Sequence, residues 1–192
     1  LGLDMDCENP RLNSELLQVQ QERKRRNQVM IDRMAADGIS ISREQMERLC
    51  GSGLWTRAHF ARFLADQGYV KDMKEAFRSY IGEHCKYYVP RERVSPFHMV
   101  SLIRETGGIP VLAHPFQYRL EPEELKSLVL SLKERGLLGI EAIYSTHTPA
   151  QEARIRDLAE KTGLQISGGS DFHGRNKPDI DVGTGRGGLE LP

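Results

Sequence analysis

Apolar residues recur at near-helical spacing through the first 85 positions, and after Pro90 the pattern changes to helices alternating with short apolar runs. Leu16, Leu17, Val29, Met30 and Met34 fit one long helix over 12–37, with Asn13 or Ser14 as its cap and Gly38 just past its end. Ser42 followed by Gln45 starts a helix over 42–50, and Thr56 starts another over 56–67 that Gly68 closes. Ala76, Phe77, Tyr80 and Ile81 share one side of a helix over 72–83. Residues 12 to about 85 therefore read as a compact helical block. Beyond Pro90 the order is helix 96–106, strand 109–114, helix 122–135, strand 139–144, helix 149–162 and a strand from 164 running into a loop at 171. Glycines stand at the helix ends, at 107–108, 136 and 163. This αβαβαβ order with short connections predicts a parallel α/β sheet or barrel.

The 192 residues are 39% hydrophobic, enough for a core in one domain or in a domain with an insertion. Lys plus Arg and Asp plus Glu both number 27, so net charge by itself calls for neither nucleic acid nor a membrane surface. No apolar run approaches the length of a membrane span, and no secretory signal opens the chain. Cys7, Cys50 and Cys85 are few and far apart, as reduced thiols of a cytoplasmic protein would be. The basic run at 22–26 reads as a solvated helix face, and the acidic Asp4, Asp6 and Glu8 as an exposed loop. The opening "LGLDMDCENP" has no initiator Met and resembles a strand end with its loop, so the expectation is a fragment of a longer protein.

In parallel α/β folds, chemistry gathers at the C-terminal ends of the strands. Here those ends deliver His114 in "LAHP", His147 in "IYSTHT", and Asp171 with His173 in "GGSDFHG". Residues two apart on an extended segment share a face, so Asp171 and His173 can reach one centre while Phe172 points away into packing. Gly168 and Gly169 permit close backbone approach. Imidazole and carboxylate together suit zinc, manganese or iron hydrolysis sites. An Asp-x-His pair alone is equally compatible with hydrogen-bonding loop residues. No glycine follows Phe172 directly, which sets "DFHG" apart from the kinase DFG element. His59 reads as packing or surface, His84 and His98 as structural or solvated, and Trp55 as an anchor of the helical block.

"GGIPVLAHP", "GIEAIYSTHTPAQ" and "GLQISGGSDFHG", in that order, resemble the PHP (polymerase and histidinol phosphatase) superfamily of metal-dependent phosphoesterases. The resemblance is nearest to the TrpH-like subgroup, which acts on nucleotides or short RNA ends. The segments "TRAHFARFLADQGYV" and "AFRSYIGEHCKYYVP" are similar to its inserted helical domain. The resemblance implies a distorted (β/α)7 barrel, here incomplete, formed by 1–37 and 94–192, with a helical insertion at 38–93. It implies metal ligation by His114, Asp171 and His173, a catalytic role for His147 through phosphate contact or orientation, and substrate contacts from Arg57 and Arg26. It implies two or three divalent ions, Mn or Zn with Fe or Mg as alternatives, and a small phosphorylated substrate such as a nucleotide or short oligonucleotide.

The family's opening H-x-H motif, the acid and histidine after it and its central glutamate are absent from this chain. The sequence thus leads to three expectations: metal-assisted hydrolysis in an intact protein, weak or no activity in this chain, and self-association along an open sheet edge. A degenerate PHP domain acting as a nucleotide-binding or scaffolding module stands as the alternative. A polymerase proofreading domain fits the helical insertion less well.

Overall fold

The computed structural model describes residues 1–51, 54–90, 94–174 and 177–190. The chain divides into two compact units, one of Leu1–Leu12 with Val94–Pro192 and one of Asn13–Arg93. The expected boundary at 37/38 differs from this division, because most of the long helix goes with the helical unit. Met30, Ile31 and Met34 of that helix are buried among Met46, Phe60, Phe63 and Leu64.

The helical unit is built by α1 (Pro10–Ala36, from Asn13 onward), α2 (Arg43–Cys50), α3 (Arg57–Asp66) and α4 (Met73–Ala76), which passes into a π-helical turn at Phe77–Ile81. Helix α1 begins earlier than expected. The Asn9 side-chain oxygen accepts from the backbone N–H groups of Arg11 (3.0 Å) and Leu12 (3.2 Å), so Asn9, and not Asn13 or Ser14, caps it. Ser42 caps α2 as its spacing to Gln45 implied, its hydroxyl accepting from the Gln45 N–H at 3.3 Å. The predicted helix 72–83 is shorter and changes winding at Phe77. A Cβ at Gly82 would stand 2.2 Å from the Phe77 carbonyl oxygen, so only glycine closes this turn as built. Trp55 is buried and donates its indole N–H to the Gly51 carbonyl at 2.9 Å, while buried Asn27 donates to the Trp55 carbonyl at 3.0 Å. Those bonds give the only tryptophan its anchoring role.

The α/β unit holds a four-stranded sheet in the order β1 (Gly2–Leu3), β2 (Ile109–Leu112), β3 (Gly139–Tyr144) and β4 (Gln165–Gly169). β2, β3 and β4 are mutually parallel, as the alternation of helix and strand predicted. β1 pairs antiparallel with β2, through Gly2↔Pro110 and Leu3↔Ile109, which the helix–strand pattern did not foresee. Helices α5 (Pro96–Glu105), α6 (Pro122–Glu134) and α7 (Pro149–Thr162) supply Val100, Leu125, Val129, Leu132, Ile155 and Ala159 to one core with Leu112, Ile140 and Ala142 of the sheet. One sheet face is thereby covered with helices, as parallel strands require. No helix among the described residues is long and apolar enough to cross a membrane.

Candidate functional site

β3 and β4 end side by side, with Tyr144 opposite Gly169, while β2 ends earlier, with Leu112 opposite Ile140; each strand places polar groups at or just beyond its end. β2 stops at Leu112, earlier than the expected 114, because His114 takes a left-handed backbone (φ 31°, ψ 59°) and a 3₁₀ turn, Pro115–Tyr118, follows. Such a conformation costs a non-glycine residue about 1–3 kcal/mol, and it persists only where its surroundings hold it. Here the His114 N–H donates to Glu141 Oε2 at 2.6 Å.

Glu141 lies within β3, buried, one acid in an otherwise apolar strand. Burial pushes its carboxyl pKa above the ordinary value, and the bond from the His114 N–H opposes that shift. Gly169 makes room for the carboxylate, since a Cβ there would stand 2.8 Å from Glu141 Oε1. Gly169→Ala is therefore expected to displace Glu141 and destabilise the chain by about 1–3 kcal/mol. Urea denaturation checks this, and an unchanged midpoint would refute the tight contact.

β3 carries a bulge between Glu141 and Ile143. One extra residue shifts the alternation, so that Glu141 and Tyr144 come to the same side instead of opposite sides. The Tyr144 hydroxyl donates to Asp171 Oδ2 at 2.7 Å and accepts from Gln117 Nε2 at 2.5 Å. Burial and the neighbouring Asp171 carboxylate both push the Tyr144 pKa upward, so the phenol stays protonated. Asp171 also has a left-handed backbone, φ 57°, and its Oδ2 receives the Lys177 ammonium as well. Burial would raise the Asp171 pKa, but the bonds from Lys177 and Tyr144 outweigh it and hold the carboxyl below its ordinary range.

The histidines are oriented by backbone carbonyls, which only accept hydrogen bonds. His147 Nδ1–H donates to Ala142 O at 2.8 Å, and His173 Nδ1–H to Asp171 O at 2.7 Å. In both rings Nε2 is left with its lone pair, an arrangement common in histidines that bind metals. The His147 ring lies 5.1 Å from that of Tyr144 and 5.2 Å, edge-on, from Phe116, and the His114 ring lies 5.7 Å from Tyr144. Among the described residues, His114 Nδ1 and His147 Nε2 are buried without a hydrogen-bond partner. Buried polar atoms normally have one, so these two nitrogens are the unusual groups of the strand ends.

The structure brings the expected residues together in pairs and not as one cage. His114 and Asp171 flank Tyr144, and His173 Nδ1 stands 3.5 Å from Asp171 Oδ1. Among the described residues, no three His, Cys, Asp or Glu side chains stand close enough to hold one ion. Imidazole nitrogen and carboxylate oxygen are donor types that divalent cations take, and His114 Nδ1 is one such nitrogen without a partner here. Phe172 does not enter packing; it is 48% exposed, because the left-handed turn at Asp171 ends the extended alternation that would have buried it. His59 is partly exposed, and its Nδ1 accepts from the Thr56 N–H at 2.9 Å and completes the α3 cap. His84 and His98 are exposed. Arg57 and Arg26 belong to the helical unit. The Arg57 guanidinium sits over the Phe77 ring (5.9 Å) and the Tyr88 ring (5.3 Å), and Arg26 donates to Asn27 Oδ1 at 3.1 Å.

The motif reading passed over Glu141, Tyr144, Gln117 and Lys177. Glu141 alone had a signal, as the one charge in "GIEAIY".

No protein-family model matches the chain. Relatives do. The 5'-3' exoribonuclease Rnm of Escherichia coli is 32% identical over 183 residues, covering 95% of this chain and 62% of the relative. A 3',5'-nucleoside bisphosphate phosphatase of Chromobacterium violaceum is 33% identical over 184 residues, covering 95% of this chain and 65% of the relative. A crystal structure from Bifidobacterium adolescentis, described as a metal-dependent phosphoesterase, superposes with a TM-score of 0.76 at 27% identity, covering 93% of this chain and 63% of that one. Over nearly its whole length the chain is similar to phosphoesterases of these kinds, in agreement with the PHP resemblance of its motifs. It spans less than two thirds of the length of these curated relatives. Within the chain, "LAHP" and "GGSDFHG" flank the strand that carries Glu141 and Tyr144, so its most recognisable motifs lie on either side of the groups that position them.

Proposed function

We propose that this chain is a PHP-type chain that contributes ligands to a divalent-metal centre hydrolysing a phosphoester of a nucleotide or a short RNA end. The observation that carries the reading is Asp171 bonded to the Tyr144 hydroxyl, with His173 beside its carboxylate and His114, its Nδ1 buried and unpartnered, against the Tyr144 ring. The names of the relatives support the substrate class. In this reading the four strands belong to a distorted (β/α)7 barrel, and the helical unit is its insertion.

His114, Asp171 and His173 would hold the cation, with Mn or Zn the expected metals. When bound, such a cation lowers the pKa of water and neutralises phosphoryl oxygens. Glu141 keeps His114 in its strained backbone and so keeps the imidazole at the strand end. His147, with Nδ1–H fixed on Ala142 O, presents Nε2, which can take a proton from water or, once protonated, donate to a phosphoryl oxygen. Arg57 and Arg26 are assigned to the substrate, as guanidinium groups suited to phosphate.

The test is phosphate release from a 3',5'-nucleoside bisphosphate and from 5'-phosphorylated short RNA, with added Mn or Zn and with EDTA. Release that EDTA abolishes is the expected result for a protein with the complete centre, and weak release or none for this chain alone. One observation favours a second reading, a nucleotide-binding module without turnover: no three candidate ligands converge on one point among the described residues. Nucleotide binding without release by the protein with the complete centre, in the presence of saturating metal, would favour that module.

A further inference from the structure

We infer that Tyr144 is a positioning residue whose hydroxyl fixes the Asp171 carboxylate so that Oδ1, and not Oδ2, is the oxygen offered to a cation. The inference rests on the metal-centre reading of the same site. The direction of each bond is settled by chemistry. Gln117 Nε2 can only donate, so at 2.5 Å it takes a lone pair of the phenol and leaves the phenolic hydrogen for Asp171 Oδ2 at 2.7 Å. Oδ2 also receives the Lys177 ammonium, giving it two donors. The nearest donor to Oδ1 is His173 Nδ1 at 3.5 Å, beyond hydrogen-bond length, and that N–H is already committed to the Asp171 carbonyl at 2.7 Å. One carboxylate oxygen is saturated and the other retains its lone pairs.

The phenol also ties three strand ends together. Gln117 comes from the turn after β2, Tyr144 from the end of β3 and Asp171 from the loop after β4. Asp171 needs such a hold, since its left-handed backbone directs its side chain away from the path of the strand. The bulge at Glu141/Ile143 is what brings Tyr144 round to supply it. The His114 and His147 rings stand 5.7 Å and 5.1 Å from the Tyr144 ring, centroid to centroid, and phenylalanine keeps that ring.

Tyr144→Phe keeps the ring and removes the hydroxyl. Calorimetric titration of the full chain with MnCl₂ alone is expected to show affinity about 10–100-fold weaker in Tyr144→Phe than in the parent, with the circular dichroism spectrum unchanged. A crystal structure of metal-free Tyr144→Phe is expected to show the Asp171 carboxylate rotated from its present orientation. Equal affinity in parent and variant overturns the inference. If the parent itself binds no Mn²⁺, the metal-centre reading fails, and the crystal structure alone decides: an unrotated carboxylate overturns the positioning role and a rotated one upholds it. A phenol that merely fills space would lower the thermal midpoint while leaving affinity and carboxylate orientation as they were.

Discussion

Asp171→Ala is expected to remove divalent-metal binding from this chain, with the Mn²⁺ affinity falling by more than about 100-fold. Changing an outer partner of a metal ligand alone costs about 10–100-fold, so loss of the ligand itself exceeds that. Asp171 is the point on which the site's bonds converge: Tyr144 and Lys177 both reach its Oδ2, and His173 is held by its backbone carbonyl. Alanine keeps that carbonyl but deletes both carboxylate oxygens, so His173 retains its orientation while the anionic ligand is gone. His114→Ala should weaken binding in parallel, by deleting the unpartnered Nδ1. Calorimetric titration with MnCl₂ measures both variants. Undiminished affinity in Asp171→Ala would move the metal to other groups and sink the ligand assignment.

Phe60→Ala is expected to destabilise the helical unit by about 3–5 kcal/mol. Phe60 lies on α3 with no exposed surface, among Met30, Met34, Met46, Phe63 and Leu64, which are also buried. Removing the ring forfeits its transfer from water and leaves a cavity that packed helices close only in part. A domain is typically stable by about 5–15 kcal/mol, so the loss is a large share of the total. Urea denaturation followed by the fluorescence of Trp55, buried in the same core, reads it directly. A midpoint unchanged from the parent would mean that Phe60 does not carry this core.

The sequence by itself determined the elements and the family resemblance. Helical spacing through the first 85 residues and the alternation after Pro90 specified a helical unit and three parallel strands, because burial imposes a period of 3.6 on helices and apolar runs on covered strands. The same rule placed His114, His147, Asp171 and His173 at strand ends, and "AHP" with "D-x-H" carried the PHP resemblance. Tertiary structure decided the rest. Asn9 caps α1, although Asn13 and Ser14 are equally good capping residues, because capping depends on where the chain enters the helix. Phe172 is exposed because Asp171 turns left-handed, a backbone state that an Asp-Phe-His sequence does not announce. Tyr144 faces the site only because β3 bulges after Glu141, and a bulge is fixed by pairing with the neighbouring strand. Glu141, Gln117 and Lys177 lie 30, 54 and 6 residues from Asp171 in the chain, yet meet one cluster with it and Tyr144. No local pattern encodes such a network, since hydrogen-bond partners are chosen by distance in the folded sheet and not by spacing along the chain.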